Sequence, residues 1–172
     1  MANWYMLTLV GQDQQGIVAQ ITQTLFENGY DLGEASMMRL GGNFTVMLMI
    51  SHPENKNGDD AIAIIKDKMG LCVHSVEVSG GLHQHVEPNV RVTVLGTDRA
   101  GIVAEVTGVL AEQGVNIVDL ESDVGGTAQA PIYIMHIEGV ATNSTDDLVD
   151  KLAPLNRDGI EIQVMDIETL VG

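Results

Sequence analysis

The sequence predicts an α+β protein built from two copies of a βαββαβ unit, each an antiparallel four-stranded sheet with two helices on one face. Three observations lead to this prediction. The chain of 172 residues repeats itself at an offset of 85 positions, both halves show the same order of strand-like and helix-like segments, and a glycine-rich turn joins the first strand of each half to its first helix. Hydrophobic residues make up 45% of the chain, which is enough for two packed cores.

The internal repeat is the most specific of these observations. Residues 7–32 align without a gap with residues 92–117, and eleven pairs are identical, including three glycine pairs and Asp13 with Asp98. Chance matches between apolar positions would not keep three glycines and an aspartate in register, so the chain is predicted to be a duplicated domain. The predicted boundaries are 1–79 for the first domain, 80–89 for a linker with a Gly pair and Pro88, and 90–172 for the second domain.

The spacing of apolar residues predicts the elements of each copy. Ile17, Val18, Ile21 and Leu25 fall on one helical face, whereas alternate residues from Phe44 onward fall on one strand face. The first copy is predicted to form strands over 5–10, 32–40, 43–51 and 71–78, with helices beginning near 16 and near 60. The second copy is predicted to form strands over 90–95, 117–124, 132–140 and 159–167, helices over 101–113 and 144–156, and a longer hairpin connection over 125–131.

Helices on one side of a sheet leave its other face bare, as in the ferredoxin-like split βαβ arrangement. In the hairpin strand of the first copy, the bare positions are Thr45, Met47, Met49 and Ser51, of which two are apolar. A partly apolar bare face and an open sheet edge invite pairing, so we expect contact between the copies and a homodimer.

The turn Gly-x-Asp-x-x-Gly, at residues 11–16 and again 85 positions later, has a clear physical logic. Its first glycine is expected to avoid crowding, and its aspartate to accept hydrogen bonds from the helix start. Its last glycine is expected to let the backbone come close either to the next strand or to a ligand. The positive end of the helix dipole makes the turn a favourable binding site for a carboxylate. The alternative is a turn that only caps and packs its helix.

Both copies resemble a known domain family. The segment DRAGIVAEVTGVLAEQGVNIVDLES, residues 98–122, resembles the signature of the ACT domain, and the likeness covers nearly the whole chain in two copies. The arrangement is similar to the glycine cleavage system transcriptional repressor family, with the run RLGGNFT at residues 39–45 as the nearest match.

The resemblance implies a regulatory module that binds an amino acid, such as glycine or serine, at an interface between two ACT units. The implied ligand contacts are Asp98, Arg99, Ala100, Gly101, Ile102, Asn116 and Ile117 in the second copy, and Asp13, Gln14, Gln15, Gly16, Ile17, Asp31 and Leu32 in the first. The first copy departs from the family pattern because Gln14 replaces the usual arginine and Asp31 stands where the second copy has Asn116. The second copy is therefore the better candidate for ligand binding.

The charge of the chain limits its partners. Twenty-four acidic and eight basic residues give a formal net charge of −16, and the basic residues are scattered. Direct binding to nucleic acid or to anionic lipid is not expected. The resemblance implies control of transcription of amino-acid (glycine cleavage) metabolism through a protein partner such as a transcriptional activator. The alternatives are a ligand-free interaction module and a detached regulatory subunit of an amino-acid biosynthetic enzyme.

The N-terminal segment lacks a signal-peptide pattern, and no apolar run approaches the length of a membrane span, so a cytoplasmic protein is expected. The single cysteine, Cys72, lies in the apolar stretch LCVHSV and is expected to be a buried thiol in a reducing compartment.

No catalytic motif, cofactor or metal is expected. His83 and His85 lack a third ligand nearby, and His74 and His136 are expected to be ordinary sheet positions. Asp119, Glu121 and Asp123 are expected on the solvent side of one strand, either as a hydrated face or as a cation site. Without a positioned base, nucleophile or metal, the protein is not expected to be an enzyme.

Overall fold

The structure, a computed structural model, describes residues 3–54, 56–78, 86–97, 99–127 and 129–167. The chain divides into two compact units, Met1–Gln84 and His85–Gly172, called here the N-terminal and C-terminal units. Residues 80–85 of the predicted linker, with His83 and His85, lie outside the described residues, so the linker and the domain boundaries stay predictions.

Each unit has the predicted βαββαβ order. The elements of the N-terminal unit are β1 (Trp4–Gln12), α1 (Ile17–Glu27), β2 (Asp31–Leu40), β3 (Asn43–Ser51), α2 (Gly58–Met69) and β4 (Cys72–Val78). Those of the C-terminal unit are β5 (Val90–Gly96), α3 (Ile102–Glu112), β6 (Asn116–Thr127), β7 (Ala130–Val140), α4 (Thr145–Leu152) and β8 (Ile160–Asp166). The strand orders are β2-β3-β1-β4 and β6-β7-β5-β8, with antiparallel pairing throughout. The predicted fold class is therefore confirmed.

Each unit has its own core between the sheet and the helices. In the N-terminal unit, Leu7 and Leu9 of β1 pack with Ile21 and Leu25 of α1, all fully buried. The C-terminal core repeats this with Val92 and Val94 of β5 against Val106 and Leu110 of α3. Burying an aliphatic side chain of this size contributes about 1.5–3 kcal/mol relative to leaving it exposed. The duplicated apolar pattern thus holds both copies in the same fold.

The helices begin in two different ways. Asn57 caps α2 by accepting hydrogen bonds from the N–H groups of Asp59 and Asp60, and Ser144 caps α4 by accepting one from Asp147. Helices α1 and α3 instead begin after glycines in the left-handed conformation, which carry no side chain to cap them. The two glycine turns are therefore the places where helix N-termini lack this kind of cap.

Two predicted boundaries were wrong. Strands β6 and β7 continue into the segment predicted as a long connection, since Thr127 pairs with Ala130. Helix α4 ends at Leu152 rather than at 156, and a 3₁₀ turn covers Ala153–Leu155. Pro154 explains this end, because proline has no N–H to continue the helical hydrogen bonds.

The expectation of a buried thiol was also wrong. Cys72 is exposed because it lies on the face of β4 that the helices leave bare, while its neighbours Leu71 and Val73 point into the core. The apolar run around Cys72 therefore reflects alternation across a sheet rather than burial of every member.

Candidate functional site

The last glycine of each turn has a backbone that only glycine adopts readily. Gly16 has φ of 80° and Gly101 has φ of 87°, both in the left-handed region. A Cβ built at either position would meet no described atom within 4 Å. A close approach to the next strand is therefore wrong, whereas a close approach to a ligand stays a prediction. The sign of φ is what requires glycine here.

The first glycine of each turn does relieve crowding, as expected. A Cβ on Gly11 would overlap the side chain of Leu71, and a Cβ on Gly96 would overlap the backbone carbonyl of Gly159. These glycines let the end of the first strand lie directly beside the start of the last strand. They position the turn at the end of a central strand.

The first turn of each helix presents unused N–H groups to this loop. The N–H of Ile17 donates to the carbonyl of Gln14 at 3.2 Å, and the N–H of Gln20 donates to Gly16 at 3.0 Å. Between them, the N–H groups of Val18 and Ala19 have no acceptor among the described residues. The C-terminal turn repeats the pattern, with Ile102 donating to Arg99 at 3.2 Å and Glu105 donating to Gly101 at 2.9 Å. Such N–H groups at the positive end of a helix dipole can bind a carboxylate.

The aspartate of the first turn does not cap its helix. Its carboxylate pairs with Arg39 at the end of β2, with Nη2 at 2.5 Å from Oδ2, and its own N–H donates to the carbonyl of Gly42 at 3.2 Å. The capping expectation for Asp13 is therefore wrong: a long-range arginine competes for the carboxylate. The equivalent Asp98 lies outside the described residues, so its role stays a prediction.

The arginine of the second turn folds onto its own helix. Arg99 donates to both carboxylate oxygens of Glu105, with Nη2 at 2.5 Å from Oε2 and Nη1 at 3.3 Å from Oε1. This hydrogen bond lowers the pKa of Glu105 and raises that of Arg99. Arg157 adds a second positive charge 3.8 Å from the same carboxylate. At the two positions equivalent to Arg99 and Glu105, the first copy has Gln14 and Gln20.

The other predicted turn residues differ in accessibility. Gln14, Gln15 and Ala100 are exposed. Ile17 is 4% exposed and Ile102 is 1% exposed, so their side chains belong to the cores and are not available to a ligand. Sequence reasoning included the two isoleucines because they belong to the motif, although their spacing already predicted a buried helical face.

The predicted residues of the second strand lie at the other end of the same sheet. Asp31 pairs with Ser51, which pairs with Trp4 at the start of β1, whereas the glycine turn follows Gln12 at its end. Eight residue steps along a strand span about 26 Å. The same holds in the C-terminal unit, where Asn116 lies beside Val140 at the start of β5. Asn116 is exposed, Ile117 packs partly against the core, and Leu32 is 40% exposed. No single unit brings both parts of the predicted site together.

The bare faces of the two sheets have diverged. The bare row of the N-terminal sheet contains Met6 between Met49 and Val76. The equivalent row of the C-terminal sheet contains Arg91 between Glu138 and Met165. The first face is thus largely apolar, whereas the second is largely polar and acidic, with Asp119, Glu121 and Asp123 on its outer strand as expected. Within the described residues, no three His, Cys, Asp or Glu side chains come together to hold a metal ion.

Comparison with known proteins identifies the duplicated unit. Two ACT domain models match, one over residues 5–76 and one over residues 90–155. The chain contains two ACT domains in tandem. The first match runs from β1 to β4, and the second runs from β5 through α4 and ends before β8. A UPF0237 protein of Methanococcus maripaludis is 38% identical over 58 residues, an alignment that spans 34% of this chain and 64% of that protein.

Two solved structures share the fold of this tandem ACT protein over nearly its whole length. A protein of unknown function from Galdieria sulphuraria superposes with a TM-score of 0.79 at 23% identity, covering 98% of this chain and 100% of that chain. A candidate glycine cleavage system transcriptional repressor superposes with a TM-score of 0.66 at 15% identity, covering 98% and 99%. At these identities the likeness shows the fold. None of the described helices is both long and apolar enough to cross a membrane.

Proposed function

We propose that this tandem ACT protein is a non-catalytic cytoplasmic regulator that senses a small amino acid at an interface between ACT units. The observation that carries the proposal is the glycine-initiated helix start. The N–H groups of its first turn, such as those of Val18 and Ala19, have no acceptor among the described residues, and the turn is exposed at the end of a central strand. These groups would bind the α-carboxylate of the ligand.

The remaining contacts would come from a second ACT unit. The start of β2 or β6 lies about 20–26 Å along the strands from the turn of its own unit, too far for one small ligand to touch both. Strand β2 is an exposed edge strand that pairs only with β3. Antiparallel pairing of two such edge strands from different units would place the start of one strand beside the end of the other, which is the end of the sheet that carries the glycine turn. A homodimer would supply this arrangement.

The second copy is the proposed sensing half. The side chain of Asn116, at the start of β6, offers both a hydrogen-bond donor and an acceptor to the ligand. Asp31, at the equivalent position in the first copy, would place a negative charge near the carboxylate of the ligand. Glycine and serine are the candidate ligands. A thermal-denaturation screen of the full chain against the proteinogenic amino acids tests the proposal.

The outcomes of that screen are distinct. A ligand that binds only the native state raises the unfolding midpoint, and the rise grows with the logarithm of the ligand concentration relative to its Kd. We expect a small amino acid to raise it, and calorimetry should then give a saturable heat. If no amino acid raises the midpoint and glycine, serine and the branched-chain amino acids give no heat, the sensing role is wrong.

We further propose that the regulator acts through a protein partner and controls transcription of amino-acid metabolism, with glycine cleavage as the first candidate. A net charge of −16 disfavours direct contact with DNA. The largely apolar bare face of the N-terminal sheet, where Met38 and Met47 are 49% and 43% exposed, supports protein contact. Deletion of the gene should change glycine cleavage transcript levels in response to glycine. Unchanged transcripts would leave the sensing proposal standing but would refute this target.

A further inference from the structure

Glu105 lies next to the amino-acid site proposed for the second copy. It ends the first turn of α3, where its N–H donates to the carbonyl of the glycine before the helix at 2.9 Å. Arg99 belongs to the glycine turn, because its carbonyl accepts a hydrogen bond from the N–H of Ile102 at 3.2 Å. Between Ile102 and Glu105, the N–H groups of Val103 and Ala104 have no acceptor among the described residues. A carboxylate bound at these two N–H groups would therefore lie close to the side chains of Arg99 and Glu105.

The carboxylate of Glu105 already occupies the guanidinium of Arg99. Nη2 of Arg99 lies 2.5 Å from Oε2 and Nη1 lies 3.3 Å from Oε1, so that each carboxylate oxygen receives one donor. A two-point contact of this kind is also the geometry in which an arginine binds the carboxylate of a ligand. Glu105 thus takes the place on Arg99 that the carboxylate of an amino acid would otherwise take.

The contact with Glu105 does not satisfy Arg99 completely. Its Nε is buried and has no hydrogen-bond partner among the described residues, although the side chain as a whole is 23% exposed. A buried donor without an acceptor is unfavourable. The side chain of Arg99 therefore keeps an unused donor for as long as it stays on Glu105.

A second guanidinium lies near Glu105. Nη2 of Arg157 is 3.8 Å from Oε2 of Glu105, and Nε of Arg157 is 4.0 Å from Oδ2 of Asp158. Neither distance is short enough for a hydrogen bond. The side chain of Arg157 is 57% exposed, so it has room to move. A small movement of Glu105 away from Arg99 would therefore give its carboxylate a new partner.

The first copy lacks both members of the Arg99–Glu105 pair. Gln14 and Gln20 stand at the two positions and carry no charge. The first turn nevertheless keeps the same backbone hydrogen bonds, from the N–H of Ile17 at 3.2 Å and from the N–H of Gln20 at 3.0 Å. The conformation of the turn therefore does not require the ion pair.

We propose that Glu105 competes with the carboxylate of the amino acid for Arg99. On binding, Arg99 moves from Glu105 to the ligand, and Glu105 moves to Arg157. This exchange rests on the amino-acid site proposed above. It leaves each carboxylate with one guanidinium, so that no charge loses its partner. Glu105 is thus a positioning residue that sets the affinity of the second copy through Arg99.

The test is calorimetric titration of the full chain with glycine and with serine in a double-mutant cycle. Glu105→Gln frees Arg99 and should tighten binding about threefold to fivefold. Arg99→Gln should weaken binding, and Glu105→Gln should have little further effect in that background, because Glu105 there pairs with Arg157. The matched control is Glu112→Gln, which removes the same charge from an exposed position at the other end of α3. Its titration should match that of the wild type.

Arg157→Gln tests the second half of the exchange. Without Arg157, Glu105 has no new partner when it leaves Arg99, so binding should weaken about twofold. In the Glu105→Gln background the same change should have no effect, because Arg157 acts through Glu105. Equal weakening in both backgrounds would overturn the transfer of Glu105 to Arg157.

The cycle also separates the exchange from simpler effects of Glu105. Weaker binding by Glu105→Gln would overturn the proposal, because Glu105 would then orient Arg99 for the ligand. Equal tightening with and without Arg99 would overturn it as well, since the charge of Glu105 alone would then oppose the ligand. Binding of glycine or serine with no gain from Glu105→Gln overturns the exchange and leaves the sensing proposal standing. No binding by the wild type or by Glu105→Gln overturns both the exchange and the sensing of these two amino acids.

Discussion

Arg99 and Glu105 form a two-point ion pair that joins the second glycine turn to the first turn of α3, with Nη2 of Arg99 2.5 Å from Oε2 of Glu105. The hydrogen bond from Arg99 is the main cause of the lowered pKa of Glu105, and Arg157 adds to it. The first copy, with glutamines at both positions, has no such pair. The pair is thus specific to the copy that we propose as the sensor.

This pair predicts a defined pH dependence. A carboxyl group with a lower pKa in the folded state releases its proton more readily there, so the unfolded state binds more protons in this range. The stabilisation is present when the pH is above about 4.3, the pKa of a glutamate in the unfolded state, and it is lost as the pH falls through the pKa of Glu105 in the folded state. Glu105→Gln should therefore lower the unfolding midpoint slightly near neutral pH, and its difference from the wild type should shrink below pH of about 4.

Thermal denaturation between acidic and neutral pH measures this difference. The control is Glu112→Gln at the other end of α3, where the side chain is exposed and makes no described ion pair. Its difference from the wild type should show no comparable dependence on pH. If the two variants follow the same curve, the Arg99–Glu105 pair does not contribute as described.

Replacing glycine by alanine should have opposite effects on stability at two kinds of position. Gly16 and Gly101 have φ of 80° and 87°, so alanine at either position should destabilise the protein by about 1–2 kcal/mol. Gly108 lies inside α3, where an added Cβ meets nothing within 4 Å. Gly108→Ala should therefore stabilise it by about 0.5–1 kcal/mol. Urea denaturation of the three variants checks both signs, and destabilisation by Gly108→Ala would show that this helix surface is not open.

The buried Tyr30 predicts a loss of stability at high pH. Its ring packs edge-on against His52 with centroids 4.9 Å apart, and its hydroxyl donates to the carbonyl of Asn57 at 3.3 Å. Burial raises the pKa of Tyr30, and the charge of Asp60 raises it further. Because the pKa of Tyr30 is raised in the folded state, its stabilisation is complete below about pH 10, the pKa of a tyrosine in the unfolded state. The stabilisation is lost as the pH rises through the pKa of the folded state.

Tyr30→Phe separates the hydroxyl from the ring. The variant should lose about 0.5–1 kcal/mol at neutral pH with the hydrogen bond to Asn57. Above pH of about 10, the wild type should lose stability more steeply than the variant. Denaturant unfolding at several pH values measures the free energy of unfolding of both proteins. If the two free energies fall in parallel at high pH, the pKa of Tyr30 is not raised in the folded state.

The sequence predicted the elements well because their signals are local. The alternation from Phe44 to Ile50 and the helical spacing from Ile17 to Leu25 both reflect a single buried face. Gly29, which follows α1, and Gly41 and Gly42, which join β2 to β3, take positive φ values of 84°, 56° and 77°. Local geometry of this kind depends on few neighbours.

The partners of polar side chains could not be predicted in the same way. Asp13 was expected to cap α1 but pairs with Arg39, which lies 26 positions later in the chain. The group of Arg91, His136 and Glu138 on the bare face of the C-terminal sheet was not predicted, because these residues come together only through the register of β5 with β7. The acidic strand face was visible in the sequence, but the groups that complete it were not. Long-range register, rather than local pattern, decides which side chains meet.

The proposed amino-acid site combines the glycine turn of the C-terminal copy with the start of an edge strand, β2 or β6. The two copies offer a matched exchange at that edge, Asn116→Asp and Asp31→Asn. Calorimetric titration of the wild type and both variants, with the amino acid that raises the unfolding midpoint, tests the claim most directly. We expect Asn116→Asp to weaken binding about tenfold or more, because it adds negative charge near the carboxylate, and Asp31→Asn to leave binding unchanged or tighter. Equal affinity in all three proteins would mean that the start of the edge strand does not contact the ligand.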